Sequence, residues 1–432
     1  MKGQSEPKKE NKVTTRVGNF NLLRSLGRMR TFSSFKNRGY RFYFGGVLGH
    51  MACMNMQQIP NGLLLERLTN SPVIVGAMSL AGAIPMLILS FFGGVIADRV
   101  EKKFLILLGQ AGFAITSLIT AIALNIGYVS TEHPGSWWVL VVMSAIQGSI
   151  MGIAMPARQA VLSEIVRGED LMNAISLNFL GTNALQVAAP IIAGFMINSY
   201  SFDSVYYLMT VLYLVSVVMF AFMPRTGIKN TGRSNTLTEI KNGLKYVWHN
   251  QIVRLVLLIS FLTIFLSSPY SLLMPFFADD ILHVGASGMG ILFSVSGVGA
   301  IVASIVLASL PNKNRGIMML IASIFVGLTL VGFAASRSMV LSLVLIAIVG
   351  IGNTVTMTLC NTMVQYLSDD AHRGRVMSLF MMQFGLSSVG NFGSSFIGQE
   401  FGVQWAVGSF AIVLVLLTGL ALVFLPQLRK LD

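Results

Sequence analysis

A chain of 432 residues with 54% hydrophobic and 11% charged residues and a mean hydropathy of +0.72 is excluded from the soluble globular class, where about a quarter of residues are charged. A bilayer span takes roughly 20 apolar residues, so a dozen spans would use about 240 and leave the rest for tails and short loops. The net charge of +13 would suggest nucleic acid in a soluble protein, but here its meaning depends on where the charges lie.

Residues 1–41 are polar and basic, without the short apolar core and small-residue cleavage site of a signal peptide, and are expected in the cytoplasm. Within them Phe20, Leu23, Leu26 and Met29 alternate with Arg24, Arg28 and Arg30. That spacing suits either a basic amphipathic turn on anionic headgroups or a plain basic tail. Apolar segments follow at 42–65, 73–97, 104–127, 138–157, 171–197 and 205–223, then at 253–277, 287–310, 317–335, 340–364, 376–399 and 405–425. The expected architecture is an all-α membrane protein of twelve transmembrane helices, with one six-helix half over 42–224 and a second over 253–426. A cytoplasmic linker at 225–252 joins them, and residues 427–432 form a cytoplasmic end. In the linker Leu237, Ile240, Leu244 and Val247 recur at helical spacing, predicting an interfacial helix over Thr236 to Trp248. Cys53 and Cys360 both fall in apolar segments, so neither a disulfide framework nor a thiol-ligated metal is indicated.

With the amino terminus inside, all of the 30 Lys and Arg except Arg67 and Arg337 fall on the cytoplasmic side. Retention of positive charge on that face supports both the orientation and the even number of spans. The basic balance then reflects topology and anionic lipid, and a nucleic-acid partner is not expected. The halves echo each other. One common shift lays Gly76 on Gly290 and carries Asp98 and Arg99 onto Asn312 and Lys313, while another lays Ile175, Ser176 and Leu177 on Met377, Ser378 and Leu379. Parallel repeats of this kind place a substrate site between the halves near the bilayer midplane.

After the second span the chain reads Gly93, Gly94, Val95, Ile96, Ala97, Asp98, Arg99, Val100, Glu101, Lys102, Lys103. This G-x-x-x-D-R-x-x-K-K pattern resembles the loop signature of the major facilitator superfamily. The resemblance implies that fold of two pseudo-symmetric halves, and a cytoplasmic gate or latch in which Gly94, Asp98, Arg99, Lys102 and Lys103 take part. Three further stretches, Leu68 to Pro72, Met155 to Ala160 and Arg373 to Ser378, resemble the branch that contains macrolide efflux proteins and the enterobactin exporter, the drug:proton antiporter-3 family. The similarity runs from about Asn37 to the carboxyl end. In the fifth span Ala189, Pro190, Ile191, Ile192, Ala193 and Gly194 resemble an antiporter motif, with alanine at two glycine positions. Small residues permit close helix approach and Pro190 frees a backbone carbonyl, so a packing seam or a bend fits the same residues. In the fourth span Gln147 and Gly148 are present, but Ser144 stands where drug exporters of other branches carry an arginine, so a proton relay through that arginine is not available.

Spans two to twelve read as free of charge near mid-depth, which points to a cavity without fixed charge and disfavours small, highly charged substrates. His50 in the first span lies about eight residues, roughly 12 Å, from its cytoplasmic end. It suits a proton relay, a substrate contact or a neutral imidazole bonded to a neighbouring helix. Met54 and Gln58 follow at four and eight residues, with Asn55 and Gln57 adjacent, so one polar face is expected toward the cavity. Glu66, Asp279, Asp280 and Glu400 are expected at outer helix ends where water reaches them, either taking up protons or simply solvated. Asn183, Gln186, Asn353 and Gln383 are candidates for substrate contact or for interhelical hydrogen bonds. With 25 Met and 28 Phe, the cavity is expected to be apolar and deformable.

These readings favour a secondary active transporter exporting an amphipathic, drug- or macrolide-like molecule by alternating access with proton antiport, as a monomer in a bacterial inner membrane with both termini cytoplasmic. Within the same fold, a siderophore or metabolite exporter and a lysophospholipid flippase are the alternatives. A membrane-embedded enzyme is disfavoured, because the five histidines are scattered and no metal or nucleotide-binding spacing occurs. No cofactor or metal is expected.

Overall fold

The computed structural model describes residues 30–133, 135–166, 168, 170–225, 236–310, 313–369, 372–429 and 431, with backbone alone at 30–32, 91, 94, 95, 97, 98 and 236–240. The first half contains α1 (Arg38–Thr69), α2 (Pro72–Arg99), α3 (Lys102–Asn125), α4 (Trp138–Ile165), α5 (Asp170–Ser199) and α6 (Phe202–Ala221). The linker forms α7 (Thr236–His249). The second half contains α8 (Gln251–Ser267), α9 (Gly285–Ser309), α10 (Arg315–Ala335), α11 (Met339–Leu367), α12 (Arg373–Phe401) and α13 (Val403–Phe424). Between α8 and α9 the chain passes through short turns at Pro269–Leu272, Met274–Phe276 and Phe277–Ile281. The amphipathic stretch expected around Phe20 to Arg28 lies outside the described residues.

Local chemistry sets the helix ends. Asn37 caps α1 by accepting from the amides of Gly39 and Tyr40, and the helix stops at Asn70 in the left-handed region, φ 45°. Pro72 opens α2, where its missing N–H costs nothing. Among the described residues, 10 helices are long and apolar enough to cross a membrane. The two bundle helices outside that set, α1 and α12, have 32 and 29 residues, ample for a span. They fall short in hydropathy through Asn, Gln, Ser and Gly, as expected of helices that face other helices and a polar path more than lipid.

The packing repeats between halves. In the first, α2 lies along α4, α3 along α6, and α1 along α5 and α6; in the second, α9 lies along α11, α10 along α13, and α8 along α12 and α13. The closest approaches repeat too. A Cβ on Gly148 would overlap the Gly82 carbonyl, and a Cβ on Gly350 would overlap the Ser296 carbonyl. Each half therefore has its own two-helix seam that tolerates no side chain. The halves meet along α5 with α9 and α2 with α12, a pair of contacts that the same pseudo-symmetry exchanges. Helix α7 packs on the end of the second half where α8 begins and α11 ends. Val247 is buried with Val253, Met319 and Val376, and the Tyr246 ring stacks on His372 at 4.4 Å. Leu244 and Trp248 stay exposed, as an interfacial helix requires.

Candidate transport pathway

In the expected orientation, the outer ends of the halves are held together by a seam built from small residues. A Cβ on Gly290 of α9 would sit 2.5 Å from the Pro190 carbonyl oxygen and 3.4 Å from the Ile191 Cα of α5. A Cβ on its repeat partner Gly76, in α2, would collide with Ser395 Oγ and lie 3.2 Å from the Phe392 Cα of α12. The sequence echo of Gly76 and Gly290 thus marks two equivalent crossings between halves. Ala189, Pro190, Ala193 and Gly194 are all buried in this seam. Ser287 donates to the Gly194 carbonyl at 3.3 Å, and Ser294 donates to Val187 at 2.6 Å. Pro190 lacks the amide that would take the Gln186 carbonyl, and that freed carbonyl faces Gly297 at 3.4 Å from its would-be Cβ. The proline makes room for a neighbour at the seam.

Polar contacts above the seam also join the halves. Arg67 at the end of α1 pairs with Asp279 at 2.8 Å and lies over the Phe202 ring, and Ser71 donates to Gln399 at 2.7 Å. Glu66, expected in water, is instead 5% exposed with Oε2 unpartnered, because the α1 end is covered by the turn before α9. Asp280, in that turn, has its pKa raised, first by burial and then by Asp279, against an opposing pull from His283. Glu400 is exposed as expected.

Inside the first half the expected polar face of α1 divides. His50 is fully buried against Phe113 and Tyr213, at ring distances of 5.2 and 5.9 Å, while Gln58 is exposed. Eight residues at about 100° each leave a rotation of roughly 80°, enough to turn the two apart. Asn55 donates to the Met51 carbonyl on its own helix at 2.8 Å. Gln57 donates to Gln147 at 2.5 Å and Gln147 to Thr116 at 3.1 Å, tying α1, α3 and α4 together. Ser144 donates to the Met78 carbonyl at 3.2 Å, so the position that carries arginine in other branches is a packing contact here.

Arg158 places a charge inside the fourth span, between mid-depth and the helix end at Ile165. The sequence reading ended the fourth span at 157, yet α4 continues to Ile165, and Arg158 is 8% exposed within it. Its guanidinium faces Tyr43, Tyr213 and His50 in the interior. The first half therefore contains a fixed positive charge, and the sequence offered no signal for it beyond the arginine in the Met155 to Ala160 stretch.

In the second half Gln383 is buried, accepting from Ser260 at 2.7 Å, and Ser267 donates to Asn353 at 3.4 Å. Asn183 is half-buried and Gln186 exposed on α5. On the cytoplasmic side the loop signature is anchored within its own half. Lys102 is buried and pairs with Glu164 at 3.0 Å, and the Lys103 Nζ donates to the Met223 carbonyl at 2.6 Å. Arg99 is exposed at the end of α2, and the side chains at 94 and 98, Asp98 included, lie outside the described residues. A cavity of about 290 Å³ opens at the opposite end of the bundle from the seam, lined by Leu307, Arg315, Met318, Thr358 and Leu359 of α9, α10 and α11, with the exposed Phe179 of α5 at its edge.

Comparison with known proteins agrees with this geometry. The chain is 23% identical over 84% of its length to a staphyloferrin A transporter from Staphylococcus aureus, covering 89% of that protein. It is 24% identical over 74% of its length to the enterobactin exporter EntS of Shigella boydii, covering 75% of it. Among solved structures, a POT family transporter in complex with 5-aminolevulinic acid superposes with a TM-score of 0.70 at 14% identity, covering 91% of this chain and 97% of that one. The nucleoside transporter NupG does so with a TM-score of 0.68 at 14% identity, covering 90% and 98%; at such identities the likeness concerns the fold. The family model described as Major Facilitator Superfamily matches residues 43–391, and the chain belongs to that superfamily of multi-pass membrane transporters.

Proposed function

We propose that this transporter is a secondary active exporter of an amphipathic small molecule of the siderophore class, acting as a monomer in the inner membrane with both termini cytoplasmic. The observation that carries the reading is the seam that closes the outer end at Gly76 and Gly290, with a cavity at the opposite end of the second half that reaches Phe179 of the first. That is the geometry of a carrier awaiting a cytoplasmic substrate. The staphyloferrin A transporter and the enterobactin exporter support a siderophore over a macrolide. A buried arginine in the first half removes the argument against an anionic substrate.

Proton antiport completes the proposal. Glu66, Asp279 and Asp280 gather at the outer seam, where protons arriving from outside change the charge that holds it. His50 is the candidate relay deeper in the first half. Asp98 and Arg99, with Lys102 and Lys103 bracing their loop, would latch the cytoplasmic ends once the outer seam opens.

The test is transport by the full chain in proteoliposomes with an imposed pH gradient, offered staphyloferrin A, enterobactin, a macrolide and a lysophospholipid in parallel. Gradient-dependent movement of either siderophore, diminished in Asp98→Asn, supports the proposal. Movement of the macrolide or lysophospholipid alone replaces the substrate class. Movement indifferent to the gradient removes antiport.

A further inference from the structure

The interior of the first half holds four buried polar side chains from four helices that lack partners. Both ring nitrogens of His50 (α1), both amide atoms of Gln110 (α3), Nε of Arg158 (α4) and the hydroxyl of Tyr213 (α6) make no hydrogen bond. His50, Gln110 and Tyr213 are 0% exposed and Arg158 8%. Arg158 is within electrostatic reach of His50 and Tyr213, whose rings lie 5.9 Å apart, and Gln110 is next to His50, near enough that a small adjustment lets the amide and the imidazole bond each other when no ligand is present. No carboxylate among the described residues pairs with Arg158, and Glu164 of the same helix is engaged by Lys102 at 3.0 Å. Isolated unpartnered groups are met by water, but a buried guanidinium without a counter-charge carries a desolvation penalty that water offsets poorly.

The four groups share a chemistry. Arg158, Gln110, Tyr213 and one nitrogen of His50 can all donate, and no acid stands among them. A converging set of donors around one fixed positive charge is the recognition pattern for an anion. We propose that the first half contains an internal anion site centred on Arg158, with Tyr213, Gln110 and His50 as neutral donors, for a single carboxylate group or a halide. A bound anion would neutralise Arg158 inside the membrane and lock α1, α3, α4 and α6 into one unit. The first half would then move as a rigid body when the seam opens. The site is independent of the direction of transport and of the substrate proposed above.

The test is the melting temperature of the detergent-solubilised full chain, titrated with sodium citrate and, separately, sodium chloride. Wild type is compared with Arg158→Gln, Arg158→Lys and Tyr213→Phe at each salt concentration, so that bulk ionic effects cancel. A ligand that binds the folded state raises the melting temperature in proportion to the logarithm of its concentration. The expected result is such a rise in wild type, retained in Arg158→Lys, weakened several-fold in apparent affinity in Tyr213→Phe and absent in Arg158→Gln. Should Arg158→Gln not fold, the comparison rests on Tyr213→Phe and Gln110→Leu, both of which leave the charge in place and should still weaken the response. A response to citrate alone assigns the site to organic carboxylates, and a response to chloride alone assigns it to a resident inorganic anion. Equal responses in wild type and the variants, or no anion response in wild type, would overturn the proposal and leave the groups to water.

Discussion

Gly290→Ala is the sharpest perturbation of the outer seam. The added methyl would stand 2.5 Å from the Pro190 carbonyl and 3.4 Å from the Ile191 Cα, both backbone atoms that cannot rotate away. Overpacking of this kind costs about 1–3 kcal/mol. The cost falls only on the state in which α5 and α9 touch, so the equilibrium between outer-closed and outer-open forms should move by about 5- to 150-fold toward opening. Gly76→Ala perturbs the equivalent crossing; the Ser395 hydroxyl can turn, but Ser395 Cβ at 2.9 Å and the Phe392 Cα at 3.2 Å cannot, so it should open the seam as well, by less than Gly290→Ala, where a backbone carbonyl oxygen stands at 2.5 Å. The assay is a double electron–electron resonance distance between spin labels at Glu132 and Arg337, exposed outer loops of opposite halves, with native Cys53 and Cys360 buried. The expected order of outer opening is wild type, Gly76→Ala, Gly290→Ala, with the double variant most open. Unchanged distance distributions in Gly290→Ala would refute the seam as the determinant of outer closure.

Other outcomes follow from the same geometry. Arg67→Ala should shift the same distance distribution only slightly, because a partly exposed ion pair contributes about 0.2–1 kcal/mol. A shift as large as that of Gly290→Ala would make the ion pair the main closure. Lys102→Met leaves Glu164 poorly solvated and uncompensated, and should lower the chain's melting temperature, with recovery in the Lys102→Met, Glu164→Gln pair. Recovery failing in the pair would mean that Lys102 acts by packing. For Asp280 partial burial in the turn and the neighbouring Asp279 raise the pKa although the side chain stays exposed, so an opening that removes this cover leaves the closed form holding more protons than the open one. Its contribution to closure therefore grows as pH falls through the raised value, is complete below the ordinary carboxylate pKa, and is absent above the raised value. Labels at Glu132 and Arg337 should report more closure at acid pH, and Asp280→Asn should flatten that part of the profile while keeping the seam closed. An unaltered profile in Asp280→Asn would assign the pH response to other groups.

The membrane spans were legible because a bilayer imposes a long, simple pattern on composition. The repeat of Gly76 and Gly290 was visible as a coincidence of spacing; its meaning required the crossing helices, since nothing local says which neighbour a glycine admits. The interior of the first half was not legible. Arg158 looked like the end of a span because charge normally marks one, and Tyr213, Gln110 and His50 meet it only after four helices fold together. The spacing of His50 and Gln58 drifts around the helix, and Glu66 reads as solvated because the cover of its helix end comes from residues more than 200 positions away. In the loop signature, sequence identified the lysines but not that Glu164 and the Met223 carbonyl hold them within one half.

Direction is the central claim, and paired membrane vesicles test it most directly. Inverted and right-side-out vesicles from cells expressing the chain would be given labelled staphyloferrin A or enterobactin, with the vesicle interior made more acidic than the medium. The account predicts gradient-dependent accumulation in inverted vesicles, abolished by a protonophore and weakened in Gly290→Ala. Accumulation confined to right-side-out vesicles, or none in either orientation with the protein present in the membrane, would contradict it.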